Sequence, residues 1–309
     1  MTGSDLADAR GLAAEVRGLA LERNAVIFAH NYQRGEVQDV ADVVGDSLEL
    51  ARRAAETDAA VIVLAGVRFM AETAKILAPA KTVLLPHPDA GCPMADMITA
   101  PQLAAWKTEN PGVPVVMYVN SSAEVKALTD VCCTSANAVA VVRSLGAPRV
   151  LFGPDRNLGR WVASQIEGVE VSVWDGYCPV HDEVTLGAVL EARAAYPGAV
   201  VIAHPECRPE VSAEADAVLS TSQMVRFAAA SEADTIIVVT ESGLITGLEK
   251  AAPGKRFVGL TPAMLCADMK LTHLEHLRDA LRDMSGEVLV PREVADGARG
   301  SLERMTAIG

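Results

Sequence analysis

The sequence predicts an α/β protein built from three pseudo-symmetric α/β/α units, each a three-layer parallel sheet, around a central active site. Three observations carry that expectation. Short runs rich in Val and Ile alternate along the chain with longer segments of helical period, the pattern of parallel strands buried on both faces. A set of polar and apolar residues recurs three times at identical internal spacings. A cysteine follows each copy at nearly the same distance: Cys92, Cys178 and Cys266.

The elements follow in chain order. Apolar runs at 25–29, 61–64, 115–118, 150–152, 200–203 and 235–239 read as strands, because β-branched residues without interruption suit a strand covered on both faces. Segments 48–56, 136–144, 183–195 and 224–230 read as helices. The first copy of the repeat runs from His30 through Glu36, Val37 and Asp42 to Ser47. The second runs from Tyr118 through Glu124, Val125 and Asp130 to Ser135, and the third from His204 through Glu210, Val211 and Asp216 to Thr221. In each copy the first position ends a strand and the last is a hydroxyl residue opening a helix. The next strand arrives 31 to 35 residues after the first position, and the cysteine 60 to 62 residues after it. The period is about 87 residues. No Gly/Ser linker or charge block marks a boundary, so repetition sets the edges: a first unit over 1–97, a second over 98–183 and a third over 184–290, with a C-terminal helix at 291–309 packing back on the first.

Composition narrows the function. Of 309 residues half are hydrophobic, 22% are charged and 4% are aromatic, as in a globular chain rather than a disordered one. The longest apolar run, 59–67, is far short of the ~18 residues a membrane span needs. The acidic N-terminus leads into an amphipathic helix pattern rather than an export signal, so the expectation is a cytoplasmic protein. With 27 basic against 40 acidic residues the formal charge is −13, and no Lys/Arg cluster offsets it, which argues against nucleic acid. Six cysteines are too few for a disulfide framework, which directs attention to metal binding or catalysis.

Three α/β units around a pseudo-threefold axis would bring equivalent strand ends and the three cysteines together, beyond the carboxyl ends of the strands where ligands bind in α/β sheets. Three convergent thiolates suit zinc or an iron–sulfur cluster. Structural zinc wants four ligands, commonly in close pairs that this chain lacks, whereas a 4Fe-4S cluster on three cysteines leaves one iron open as a Lewis acid. Cys132, Cys133 and Cys207 stand off the repeat position, the first two reading as core residues. Ser47, Ser135 and Thr221 stand where an N-cap would be, and together could line one pocket for carboxylates or phosphate. His204 with Glu206 two positions on forms an acid/base pair, with Glu206 the expected proton carrier. His181 is either an outer partner of the cluster or a substrate contact.

These residues resemble quinolinate synthase, the iron–sulfur family of de novo NAD biosynthesis. The resemblance covers nearly the whole chain and rests on blocks in order: His30-Asn31-Tyr32-Gln33, Gly45-Asp46-Ser47, Gly91-Cys92-Pro93-Met94, Tyr118-Val119-Asn120-Ser121, Thr134-Ser135-Ala136-Asn137, Pro154-Asp155-Arg156-Asn157, Tyr177-Cys178-Pro179-Val180-His181, His204-Pro205-Glu206-Cys207, Thr240-Glu241-Ser242-Gly243 and Cys266-Ala267-Asp268-Met269. It implies a transferase condensing iminoaspartate (iminosuccinate) with dihydroxyacetone phosphate to give quinolinate, phosphate and water. It further implies a functional link to an aspartate-oxidising enzyme that supplies iminoaspartate. Carried over by motif, Cys92, Cys178 and Cys266 hold the 4Fe-4S cluster. His30, Ser47, Tyr118, Val119, Asn120, Ser135, His181, His204, Pro205, Glu206 and Thr221 bind substrate. Glu206, His204, Tyr118 and Tyr32 carry the chemistry, Tyr32 in the triose steps. Some relatives have a C-x-x-C-x-x-C run near the last ligand, whereas Cys266 here stands alone. An aconitase-like hydro-lyase or an iron–sulfur sensor would share the three-cysteine cluster.

Overall fold

Each expected apolar run is a strand in the computed structural model, which describes residues 3–261 and 264–308. The first sheet holds β1 (Ala25–His30), β2 (Val43–Gly45), β3 (Val61–Ala65) and β4 (Thr82–Leu84). The second holds β5 (Val115–Tyr118), β6 (Val131–Cys133), β7 (Arg149–Gly153) and β8 (Glu170–Val173), and the third β9 (Val200–Ala203), β10 (Ala217–Val218), β11 (Thr235–Val239) and β12 (Arg256–Gly259). All three sheets are parallel and share one strand order: β2-β1-β3-β4, β6-β5-β7-β8 and β10-β9-β11-β12. The edge strands have only two to four residues, too short to stand out as apolar runs.

Geometry explains the recurring columns. Asp42, Asp130 and Asp216 each turn a carboxylate onto the backbone N–H of the sheet's first strand: Ile27 at 2.8 Å, Val115 at 2.8 Å and Val201 at 2.7 Å. Each also meets a basic residue from the preceding helix, Arg17, Lys107 or Arg193. Val37, Val125 and Val211 are fully buried, each in the core of its own sheet. A further column is hidden by changes of residue type. Gln38, Lys126 and Ser212 all donate to the carbonyl five residues earlier, that of Gln33, Ser121 or Cys207, and so brace the loop after each first strand.

The chain divides into two compact units, and the division corrects the expected boundaries. One contains residues up to Cys92 together with Ala267–Pro291; the other contains Pro93–Cys266 and the C-terminal segment from Arg292. The helix Leu274–Asp283, which the sequence reading assigned to the third unit, buries Leu274, Leu277, Ala280 and Leu281 in the first sheet's core with Val16, Ile27 and Val63. The chain then runs antiparallel to β4, with Leu85 donating to Gly286 at 2.9 Å and Val288 to Val83 at 2.8 Å. Gly286 has φ +77°, and a Cβ there would lie 2.4 Å from the Leu85 carbonyl oxygen, so glycine is required.

The final helix, Arg292–Ala307, was expected to return to the first unit. It packs instead on β6 and the helix Ala123–Ala127 of the second sheet. Its apolar side buries Ala298, Leu302 and Met305, and Gly297 lies close against Ala127. Ser301 donates to the Lys126 carbonyl at 3.1 Å and Arg304 Nε to that of Asp130 at 2.8 Å. Among the described residues no helix is long and apolar enough to cross a membrane.

Candidate active site

Within the larger unit, parallel pairing aligns the ends of β9 and β11, with Ala203 opposite Val239. The residues just beyond are therefore neighbours: His204-Pro205-Glu206 after β9 and Thr240-Glu241 after β11. Tyr118 ends β5 in the second sheet, and Cys178 caps the short helix Pro179–Asp182, which carries His181. Their side chains meet on Glu206. Its Oε1 accepts the Tyr118 hydroxyl at 2.6 Å and its Oε2 accepts His181 Nδ1–H at 2.7 Å. The other His181 nitrogen, Nε2, lies 2.8 Å from the Thr240 hydroxyl. The His204 ring stacks on that of His181 with centroids 4.8 Å apart, and its Nε2 reaches Ser135 Oγ at 3.2 Å. Tyr118, Ser135, His181, His204 and Glu206 are all buried.

This environment sets the charges. Burial opposes ionisation of Glu206, but the hydrogen bonds from His181 and Tyr118 outweigh it, holding the carboxyl below its ordinary range. His204 is pushed the other way, to about 4, chiefly by burial, with His181 adding to the effect and Glu206 opposing it. It is therefore neutral at pH 7. Its Nδ1 accepts the Glu206 N–H at 3.5 Å, which leaves the proton on Nε2 facing Ser135. A neutral imidazole beside a carboxylate held by two donors is an arrangement that can accept and return protons.

His204 also gives the fold a pH dependence whose sign is fixed. Its folded pKa lies below its ordinary 6.5, so the unfolded chain binds the proton more readily between these values. Stability supplied by the neutral, buried ring is present above about 6.5 and is lost as pH falls towards 4. Urea melts at a series of pH values are expected to show the stability gap between wild type and His204→Asn narrowing below pH 6.5. A constant gap would mean that His204 is not buried as a neutral ring.

Cys178 Sγ, His181 Nδ1 and a Glu206 oxygen lie within 4.8 Å of one another. Because His181 and Glu206 are bonded to each other, the Cys178 sulfur is the metal donor this group offers, 3.2 Å from His181 Nδ1. The six thiols fall into two classes. Cys132, Cys133 and Cys207 are buried, and burial raises all three pKa values. Cys92, Cys178 and Cys266 are half-exposed, and each follows the last strand of its sheet, β4, β8 or β12. Soft thiolates with solvent access suit iron–sulfur ligation, and only the cysteines at the repeat position have that access.

Several polar residues around this site were not singled out from the sequence. Asp155 Oδ2 accepts the Cys178 N–H at 3.1 Å, and Glu241 Oε1 accepts the Cys266 N–H at 3.1 Å. Asn157 Nδ2 donates to Asp182 Oδ1 at 2.8 Å and to the Glu206 carbonyl at 3.0 Å, bracing the backbone that presents Glu206. Asp182 is in turn held by Arg156 and Arg208. Burial and the nearby Glu206 charge push the Asp155 carboxyl well above its ordinary range, against three backbone N–H donors. Asp155, Asn157 and Glu241 lie in blocks quoted from the sequence, but in positions where the repeats differ.

The hydroxyl column needs a correction. The N-caps are Asp46, which accepts from Leu48 and Glu49, and Ser220, which accepts from Gln223, so Ser47 and Thr221 are the first residues inside their helices. In the second copy the helix begins only at Ala138, and Ser135 lies in a turn closed by Asn137 Oδ1 on the Thr134 N–H at 2.8 Å. Asn137 also donates to the carbonyls of Met305 and Ile308, so the C-terminal segment supports the Ser135 turn. Asn120 lies two residues beyond β5, and Val119 donates to the Cys133 carbonyl at 2.8 Å. In the smaller unit His30 ends β1, and its Nδ1 accepts the Tyr32 N–H at 3.1 Å, the counterpart of the His204–Glu206 bond. The two rings meet edge-on. Ser47 and Cys92 lie in that unit as well.

Comparison with known proteins places this chain in a family. The NadA model, described as quinolinate synthetase A protein, matches residues 14–307. A quinolinate synthase from Geotalea uraniireducens (strain Rf4) is 52% identical over 294 residues, 95% of this chain and 96% of that protein. One from Dehalococcoides mccartyi (strain CBDB1) is 52% identical over 297 residues, 96% and 98% of the two chains. One from Alkaliphilus metalliredigens (strain QYMF) is 49% identical over 294 residues, 95% and 97%.

Proposed function

Because the chain belongs to the quinolinate synthetase A family, we propose that it is a quinolinate synthase of NAD biosynthesis, condensing iminoaspartate with dihydroxyacetone phosphate to give quinolinate, phosphate and water. The observation that carries this reading is the Glu206 carboxylate, gripped by Tyr118 and His181 beside the Cys178 thiol. Forming a pyridine ring from an imine and a triose phosphate requires repeated proton transfers between carbon, nitrogen and oxygen, plus help for a departing hydroxyl.

The three half-exposed thiols, Cys92, Cys178 and Cys266, fit a 4Fe-4S cluster by donor chemistry and by their shared repeat position. Bound there, the cluster would supply one iron without a protein ligand as a Lewis acid. The rest is the work of side chains. Glu206 holds and moves protons at its carboxylate oxygens, with Tyr118 and His181 as the donors that keep it ionised between transfers. Neutral His204 presents Nε2–H, and with Ser135, Asn120 and Thr221 it offers donors for the carboxylates of iminoaspartate. His30 and Ser47 complete that set, Val119 and Pro205 contribute contacts through the backbone, and Tyr32 assists the triose steps. Iminoaspartate comes from an aspartate-oxidising enzyme.

Anaerobically purified protein tests the reading. Iron and acid-labile sulfide in equal amounts, about four of each per chain, are expected, with quinolinate formed only when both substrates are present. Zinc without sulfide overturns the cluster, and turnover of a hydroxy acid with no quinolinate favours a hydro-lyase instead.

A further inference from the structure

The loops that present Cys178 and Cys266 are tied at the backbone by carboxylates from inside the fold. Asp155 is forked: Oδ2 accepts the Cys178 N–H at 3.1 Å, while Oδ1 accepts the Leu158 N–H at 2.7 Å and so caps the helix Arg156–Ser164. Glu241 is forked in the same way, with Oε1 on the Cys266 N–H at 3.1 Å and Oε2 on the Gly243 N–H at 2.7 Å. Both side chains are fully buried. A carboxyl group is costly to remove from water unless its oxygens are hydrogen-bonded, so two such forks in equivalent places call for an explanation.

Equivalence follows from the repeat. Asp155 stands two residues beyond β7 and Glu241 two residues beyond β11, each on the third strand of its sheet. The cysteines follow 23 and 25 residues later. In the first sheet the same place, two residues beyond β3, holds Val67, and Cys92 again follows 25 residues later. Valine has no acceptor to offer. There Arg68 ties the approach to the cysteine: its N–H donates to the Ala90 carbonyl at 2.8 Å, as Arg156 does to Gly176 and Ser242 to Met264 in the other sheets, and its side chain donates to the Pro88 carbonyl at 2.9 Å.

We propose that Asp155 and Glu241 are positioning residues that fix the Cys178 and Cys266 loops to the ends of β7 and β11, so that these two thiols are presented to the cluster in one conformation. The inference rests on the cluster reading above. Each loop is already held two residues before its cysteine, by the Arg156 N–H on the Gly176 carbonyl and by the Ser242 N–H on the Met264 carbonyl, both at 2.8 Å. The fork extends that tie to the N–H of the cysteine itself.

Asp155→Asn and Glu241→Gln keep the side-chain volume but turn an amide NH2 towards one of the two backbone donors. Asp216→Asn is the control, because it cuts a similar carboxylate–backbone bond, to Val201 at 2.7 Å, that does not involve a cysteine. Anaerobic Asp155→Asn and Glu241→Gln are expected to lose iron to a chelator about 10-fold to 100-fold faster than wild type, the usual effect of removing an outer partner of a metal ligand. The electron paramagnetic resonance spectrum of the reduced cluster should change with them. Asp216→Asn should lose iron at the wild-type rate with an unaltered spectrum. Wild-type rates and spectra in both amide variants overturn the proposal, as does an equal acceleration in Asp216→Asn, which would mark general loosening. Glu241→Asp, which keeps the charge and shortens the reach by one methylene, is read in the same way and decides the matter if the amide variants are insoluble. Wild-type protein without iron overturns the cluster reading itself, before any variant is compared.

Discussion

Serine at Cys92, Cys178 or Cys266 is expected to leave anaerobically purified protein with less than about a tenth of the wild-type iron and no measurable quinolinate synthesis, because a hydroxyl is a poor replacement for a thiolate on iron. Serine at Cys132, Cys133 or Cys207 is expected to leave iron and sulfide at wild-type levels. Those three thiols are buried and lie off the repeat position, and burial pushes their pKa values up, away from the thiolate that binds iron. They pay for their place in stability instead. A buried serine costs about 1 to 3 kcal/mol when poorly paired. Cys132 and Cys207 already face an acceptor, Ser301 Oγ at 3.5 Å and the Val239 carbonyl at 3.7 Å, which would soften that cost. Cys133→Ser is therefore expected to be the least stable of the three in a urea melt. Full iron in any variant of the first group, or its loss from any of the second, would show that repeat position does not select the ligands.

The sequence made the central strands legible because each contains an uninterrupted apolar run, and it made the three cysteines legible because insertions between repeats are small. It concealed the edge strands, which are too short for periodicity to register, and it concealed the destinations of the last two helices. Both of those helices are amphipathic, and an apolar stripe states that a helix packs without stating on what. Leu274, Leu277 and Leu281 fill a gap in the first sheet's core, while Leu302 and Met305 pack with the second. The column of His30, Tyr118 and His204 was visible since all three are polar residues ending apolar strands. The bracing column of Gln38, Lys126 and Ser212 was not, because three different side chains perform one task, donating to a loop carbonyl. The same limit hid Asp155 and Glu241, whose counterpart in the first copy is Val67. Repetition in sequence reveals functions performed by the same residue type, and coordinates are needed for those performed by different ones.

Glu206→Gln is expected to keep its cluster and to bind substrate, yet to form quinolinate at least about 100-fold more slowly, the lower end for a lost acid/base group. The site is built to tolerate the change in shape. Glu206 accepts one hydrogen bond on each oxygen, from Tyr118 and from His181 Nδ1. Glutamine can keep the Tyr118 bond on its Oε1 and turn its NH2 towards His181. His181 can then move its proton to Nε2, which already lies 2.8 Å from the Thr240 hydroxyl, and accept at Nδ1. Both bonds to the side chain at 206 are kept, so the fold should lose little, and what disappears is the group that titrates. A purely structural Glu206 would accept this substitution with turnover intact. The measurement is anaerobic turnover with iminoaspartate and dihydroxyacetone phosphate, with iron content and substrate binding determined on the same sample. Near-normal turnover in a cluster-replete variant would remove Glu206 from the chemistry and transfer the proton-carrying role to His204 or Tyr32.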